Sequence, residues 1–453
     1  MSNEAGPGAT ARHEAPYPPA WQAWSVVAIL FVVTLLSQLD RQIPALLVAP
    51  IKAEFGISDT VFSLLQGYAF ALIYTLMGLP FGRLVDSTNR RNLIVGGVIV
   101  WSAMTALTAF ANSYTILFIA RMGVGVGEAV LAPAAYSIIA DYVAPARRGR
   151  AISVYYLSLA IGQGASLLIG GLILKMIPPT GAEVPLLGSF EPWRMAFLIA
   201  GAPGIFLAAL LFLVREPVRR ETVIGSDGGT QTPTYKELFA FMRSNMGALW
   251  PIFLCPTALA IVGYAAVNWA VAYYGRTFGI PPQQIGVTLG IIVASGGMLG
   301  TLTSGFFGDW LVARGIPAAR LRVMQVSMLI TVLTAGIWSL MPTAELSLAV
   351  LGVMLFASVL GHSSAPVMVQ EVVPNRMRGQ IVAIYLLIAG LGGIALAPTA
   401  VALITDYVFQ DESAVGLSLA IVGFPIALLG LIVAVASQRP YAEVGRRKEA
   451  MAG

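Results

Sequence analysis

Chemistry-bearing residues are scarce in this 453-residue chain, which has one cysteine, two histidines and only 11% charged residues. The lone Cys255 excludes an intrachain disulfide and any cluster of thiolate ligands, and its apolar surroundings place it inside a helix. No HExxH pair exists and no nucleophile stands beside a base in a known pattern, so the sequence predicts no catalytic residue, no metal and no cofactor. Charge is missing from long stretches. With 57% hydrophobic residues and a mean hydropathy of +0.80, a solvated globular domain of this length is excluded. The net charge of +5 comes from short basic clusters between apolar runs, which is not a nucleic-acid surface.

What the chain has instead is apolar length. Runs long enough to span a bilayer fall near 24–50, 60–84, 92–112, 114–142, 150–177 and 193–214, then near 246–275, 283–310, 319–341, 344–372, 379–408 and 413–437. They predict an all-α integral membrane protein with 12 transmembrane helices in two six-helix bundles, 24–214 and 246–437. Residues 1–23, rich in Pro, Gly and Ala, read as a flexible tail that lacks the basic region and cleavage site of a signal peptide. The polar stretch 215–245 reads as a linker, and 438–453 as a basic tail with Arg439, Arg446, Arg447 and Lys448. An inside N-terminus puts most of the 27 Lys and Arg residues on one side and leaves Lys52, Lys175, Arg194 and Arg276 in outer loops, so both termini are predicted cytoplasmic. The expected location is a plasma membrane, the inner membrane in a Gram-negative bacterium, and the expected state a monomer among membrane lipids.

The halves repeat each other. Pro145–Ala–Arg–Arg–Gly149–Arg–Ala–Ile–Ser–Val–Tyr155 is echoed by Pro374–Asn–Arg–Met–Arg–Gly379–Gln–Ile–Val–Ala–Ile–Tyr385. Gly82–Arg–Leu–Val–Asp86 after the second span has a counterpart in Gly305–Phe–Phe–Gly–Asp309 after the eighth. Pseudo-symmetric bundles in a membrane protein imply alternating access around a site near mid-membrane.

The fourth span carries Arg121–Met–Gly–Val–Gly–Val–Gly–Glu128. A spacing of seven brings Arg121 and Glu128 to one helix face, about 10 Å apart along the axis. Gly123 and Gly127 fall on the opposite face, where a neighbouring helix can approach closely. Intramembrane charges are costly and mark pathways, although such a pair also serves as bundle glue. The glycine run follows no strand, which excludes a dinucleotide-binding loop. Asp40, about 24 Å into the first span, reaches a depth comparable with Arg121. Arg121 is therefore expected to hold Asp40 or Glu128 ionised, or to release one of them when a proton or an anionic substrate arrives. Arg41 points about 100° away from Asp40 and is expected either in the same cavity or on a loop carboxylate.

Gly82…Asp86…Arg90–Arg91 and Arg121…Gly125 resemble the loop and fourth-helix signatures of the major facilitator superfamily. Within it, Leu39–Asp40–Arg41, Gly125–Val–Gly–Glu128–Ala and Val214–Arg–Glu–Pro217 resemble the spinster branch of lipid transporters, associated with lysophospholipids and sphingosine phosphate. The Asp-Arg and Gly-Glu-Ala elements are also similar to those of organic anion:cation symporters. The resemblance implies the major facilitator fold, and a cytoplasmic latch built from Gly82, Asp86, Arg90, Arg91 and Asp309 that closes when the outside is open. The second copy lacks the Arg-Arg pair in register. Gly162–Gln–Gly164…Gly170–Gly171 in the fifth span lacks the Gly-Pro step of the antiporter motif, which argues against exchange for protons.

Tyr264 and Asn268 share one face of the seventh span, while Tyr273 and Tyr274 read as interface anchors. His362, followed by Ser363, lies in the tenth. Apart from His362, the second half buries no ionisable group as deeply as Asp40, Arg41, Arg121 and Glu128. A cavity charged on one wall and apolar on the other suits an amphipathic anion carried with protons, and suits a sugar poorly. The alternatives are a symporter of a small organic anion, a carrier without proton coupling, and a channel, for which no filter-like loop is present.

Overall fold

The computed structural model describes residues 17–185, 188–219 and 234–452. Most of the expected tail, and 220–233 of the expected linker, lie outside the described residues. Twelve helices among the described residues are long and apolar enough to cross a membrane. They are α1 (Ala20–Leu46), α2 (Asp59–Gly78, continuing helically to Ser87), α3 (Arg90–Thr108), α4 (Tyr114–Tyr142), α5 (Pro145–Met176) and α6 (Pro192–Leu211) in the first half. The second half holds α7 (Lys236–Phe278), α8 (Pro282–Ala313), α9 (Ala319–Leu340), α10 (Ala344–Val372), α11 (Asn375–Phe409) and α12 (Glu412–Ala436). A helix α13 (Gln438–Ala452) follows, and a short hairpin pairing Ala182 with Phe190 and Val184 with Gly188 joins α5 to α6.

Local chemistry sets the boundaries. Side chains of Asn89, Ser113 and Thr343 accept the free amides at the starts of α3, α4 and α10, while Pro145 and Pro282 open α5 and α8, where a missing N–H costs nothing. Thr234 and Glu237 form a reciprocal capping box, so the seventh helix already starts at Tyr235, inside the stretch read as linker. Asn245, at φ −122° and ψ 19°, breaks it before the span proper. The stretch read as a basic tail is also helical. Its Tyr441 hydroxyl donates to Glu371 Oε2 at 2.7 Å and the Met368 carbonyl at 3.3 Å, and Lys448 donates to the Gln370 and Val373 carbonyls at the end of α10. Burial, reinforced by the Glu371 carboxylate, holds the Tyr441 phenol well above its usual pKa, so it stays a donor.

The outward faces are apolar: Leu76, Phe206, Leu213, Leu302, Phe306 and Ile432 are all exposed. Water would penalise such a girdle and lipid would not. Tyr273 and Tyr274, expected at the membrane interface, are instead buried at 1% and 0% exposure. Tyr274 shares a 2.8 Å hydrogen bond with Ser347, and Tyr273 packs edge-on against Trp338. Cys255 is buried, its thiol 3.3 Å from the Gly430 carbonyl.

The two halves meet tightly at the end opposite the chain termini. Arg276 makes a two-pronged contact with Asp59 at 2.6 and 2.7 Å and a 3.0 Å pair with Glu412, while Lys52 bridges Asp59 and Glu412, the latter at 2.7 Å. The Thr60 amide donates to Asp406 at 2.6 Å, and Ser63 to Thr399 at 3.1 Å. Backbones also close in. A Cβ on Gly67 of α2 would lie 2.8 Å from the Ile394 carbonyl of α11, and one on Gly290 of α8 would lie 2.5 Å from the Leu168 amide of α5. Gly67 and Ile394 both sit in π-helical turns, Leu64–Tyr68 and Leu391–Leu396, whose wider ladder lets α2 and α11 meet there. Toward the chain termini the glycines of the same four helices make no such approach: nothing stands within 4 Å of a Cβ built on Gly78, Gly149, Gly305, Gly379 or Gly390.

Candidate functional site

Midway along the bundle, α1 and α4 bring four charged side chains together. Asp40, Arg121 and Glu128 are 0%, 1% and 1% exposed. Their pairing differs from the expectation. Glu128 Oε2 accepts from Arg41 Nε at 2.5 Å and from Ser37 Oγ at 2.9 Å, so Arg41, and not Arg121, is its partner. The Arg41 guanidinium is flanked by two α2 rings, its carbon 4.5 Å from the Phe70 centroid and 4.9 Å from that of Tyr74. Arg121 does not pair with the Asp40 carboxylate either: its Nη1 donates to the Asp40 main-chain carbonyl at 2.9 Å. Arg121 Nε and Glu128 Oε1 are buried without a hydrogen-bond partner, and no arginine bonds the Asp40 carboxylate, whose neighbour is the Thr105 hydroxyl. Helical phase could not reveal this, because it fixes a side chain's direction and not which neighbour fills the space.

Gly127 lets α4 touch α3, where a Cβ would stand 2.7 Å from the Gly97 carbonyl, and a Cβ on Gly123 would meet Met104 at 2.6 Å. On the other side, Gly125 brings α4 against the Phe70 carbonyl of α2. The glycines thus draw three helices around the charges.

Two cavities adjoin the cluster. A polar one of about 30 Å³ is lined by Gln38, Arg41, Gln42, Gln66, Arg121, Tyr264 and Asn268, with Phe70 and Ile394. Gln66 Nε2 donates to Asn268 Oδ1 at 2.8 Å, closing its floor between the halves. A second cavity of about 240 Å³ opens among α5, α7, α8 and α10. Its wall is mainly Leu159, Leu259, Ala260, Val267, Val293, Leu355 and Val359, with Gln163, Thr301, His362 and Ser363 as polar points. Ser363 Oγ lies 3.3 Å from Thr301 Oγ1, and His362 sits beside the Pro256 carbonyl. Tyr264 lines both cavities. Gln38, Gln42, Gln66 and Gln163 were not singled out from the sequence; a neutral amide inside an apolar run is the signal that pointed to them.

The residues expected to form a latch are partly redistributed. Arg90 is buried and holds Asp141 and Glu216, the latter at 2.7 Å, together with Ser137 Oγ at 2.9 Å. Arg91 donates its main-chain amide to Glu216 at 3.0 Å, so the two arginines clip the stretch after α6 to the start of α3. Asp86 is exposed, and its main-chain carbonyl accepts from Arg219. Gly82 faces open space. In the second half Arg320 takes the corresponding place, 2.5 Å from Asp309 and 4.0 Å from Glu371.

The family model described as Major Facilitator Superfamily matches residues 30–398. The chain is 29% identical over 302 residues to an MFS-type efflux pump of Mycolicibacterium smegmatis, covering 65% of this chain and 64% of that protein. It is 26% identical over 308 residues to a probable L-galactonate transporter of Escherichia coli, covering 66% and 64%. Against human protein spinster homolog 1 it is 30% identical over 257 residues, covering 56% of this chain and 46% of that one. The chain thus spans less than two thirds of the length of these relatives. A solved bacterial homologue of the human lysosomal transporter spinster, inward-facing and unoccupied, superposes with a TM-score of 0.76 at 24% identity, over 95% of this chain and 98% of that one. The chain belongs to the major facilitator superfamily, and within it the likeness runs to the spinster proteins.

Proposed function

We propose that this protein is a secondary transporter that works by alternating access and moves an amphipathic anion, such as a lysophospholipid or sphingoid phosphate, coupled to protons. The observation that carries this reading is the sharing of Tyr264 between a small cavity lined by Arg41 and Arg121 and a larger, mainly apolar one. The arginines of the first supply cations for an anionic headgroup, where desolvation strengthens charge-assisted contacts, and the wall of the second is apolar enough for an acyl chain. With both termini assigned to the cytoplasm from the distribution of Lys and Arg, the end closed by Asp59, Arg276 and Glu412 is the outer one, which supports reading this state as inward-open. Asp40 and Glu128 are the proton sites: the Glu128 carboxylate is held by Arg41, so an incoming anion competes with it for that guanidinium, and protonating Glu128 releases the guanidinium to the anion. Asp86 is assigned to the cytoplasmic latch of the opposite state.

A second reading is supported by the amide-rich wall of Gln38, Gln42, Gln66 and Asn268, which offers hydrogen bonds to a hydroxylated organic anion. The similarity to a probable L-galactonate transporter points the same way. Reconstitution in liposomes with an imposed pH gradient, screened against lysolipids and small organic anions, separates the two. Accumulation of a lysolipid supports the first, and accumulation of compact anions alone supports the second. Flux far above carrier turnover would make the protein a channel.

A further inference from the structure

Pro44 lies inside α1, four residues after Asp40. An α-helix bonds each main-chain N–H to the carbonyl four residues earlier, and proline has no N–H to give. The bond that residue 44 would make to the Asp40 carbonyl therefore cannot form. In a membrane interior a freed carbonyl has no water to turn to. Its donor here is Arg121 Nη1, from α4, at 2.9 Å, in a site where Arg121 is 1% exposed.

We infer that Pro44 is a positioning residue for Arg121: by deleting one backbone donor from α1, it seats the guanidinium on the Asp40 main chain and keeps it off the carboxylates. Three observations meet in this arrangement. Neither Asp40 carboxylate oxygen is bonded to an arginine although a guanidinium is bonded to the same residue's main chain. The Glu128 carboxylate is engaged by Arg41, which leaves it one free oxygen. Arg121 Nε is unpartnered, and Arg121 lines the small polar cavity. A guanidinium anchored on a neutral carbonyl keeps its charge available to an incoming anion, whereas one locked on a carboxylate does not.

The inference separates Pro44 from an ordinary helix kink. A kink acts through the shape of α1 alone, and its effect does not depend on Arg121. A positioning proline acts through Arg121, so the two residues are energetically coupled.

The structural arm of the test needs no substrate. Thermal unfolding is measured in detergent for the parent protein, Arg121→Ala, Pro44→Ala and the double variant. Arg121→Ala alone leaves the Asp40 carbonyl without a donor and lowers the melting temperature. In the Pro44→Ala background the restored N–H fills that carbonyl, and at least half of the loss is recovered. An equal loss with and without Pro44 overturns the inference. If Arg121→Ala does not fold, Arg121→Lys, which keeps one donor, is compared in the two backgrounds by the same criterion.

The second arm rests on the transport reading above. Pro44→Ala frees Arg121 to pair with Asp40, so the KM for an anionic substrate rises about tenfold while the maximal rate per folded protein changes little, the pattern of lost uniform binding. A maximal rate that falls while KM stays unchanged overturns the positioning role. Coupling in the unfolding cycle with no uptake of any anion would leave the Pro44–Arg121 link standing and count against the transport reading instead.

Discussion

Arg41 and Glu128 are joined across α1 and α4 by a 2.5 Å ion pair, with the carboxylate fully buried and the guanidinium laid against Phe70 and Tyr74. A deep anion is thereby matched to a cation that faces the polar cavity. The pair is a lock that a competing anion or a proton can open, because either changes what Arg41 must neutralise.

Glu128→Gln removes the buried anion and leaves Arg41 without its counter-charge. The expected loss of stability is about 2–3 kcal/mol, below the ~3–5 of a wholly buried pair because Arg41 is partly open. Asp40→Asn costs less, since no ion pair is lost with its carboxylate. Both variants are expected to lose the response of transport to a pH gradient while retaining binding. Unfolding curves and gradient-driven uptake check this, and full accumulation in both variants would remove proton coupling from this cluster.

Asp59→Asn dismantles the far-end closure. One carboxylate there holds both prongs of Arg276 and the Lys52 ammonium. The amide keeps the shape but not the charge, so the state closed at that end loses stability relative to the alternative. Spin labels at the ends of the two bundles near Lys52 and Glu412 should report a longer distance population than in the parent protein. Identical distributions would mean that backbone packing at Gly67 and Gly290 alone sets the closure.

Much of this was legible in the chain. Twelve spans follow from apolar length, and the common face of Arg121 and Glu128 follows from their spacing. The partner of Glu128 did not, since Arg41 reaches it only because α1 and α4 cross at that depth. Tyr273 and Tyr274 read as interface anchors because aromatics near a span end commonly are, yet Trp338 of α9, Ser347 of α10 and Gly416 of α12 enclose them. The second arginine site was hidden by loop length: Asp86 precedes Arg90 by four residues, whereas Asp309 precedes Arg320 by eleven, so the motifs are out of register, although Arg90 and Arg320 each face a carboxylate at the end of a neighbouring helix, Asp141 of α4 and Glu371 of α10. Pro44 was not singled out from the sequence, and its consequence emerges only with Arg121 in place.

Asp86→Asn tests the opposite face. In the described state Asp86 is exposed, with its main chain held by Arg219, so the substitution should leave the stability of this state within about 0.5 kcal/mol. If the carboxylate pairs across the bundles only when that end closes, the variant depletes the closed form. Labels at the ends of the bundles near Gly149 and Gly379 should then show the open population rising. An unchanged distribution would reduce Asp86 to a surface carboxylate.

The most direct measurement is a chain-length series. Single-chain phospholipids of increasing acyl length are assayed for protection against thermal unfolding and then for uptake into proteoliposomes. Each methylene buried against the Leu259, Val293 and Leu355 wall contributes about 0.8 kcal/mol, so affinity should rise roughly fourfold per carbon until the cavity is full. Arg121→Ala should abolish the dependence on headgroup charge and leave the chain-length trend in place. No stabilisation at any length, together with saturable uptake of a compact organic anion, would contradict the amphipathic reading and assign the site to small anions.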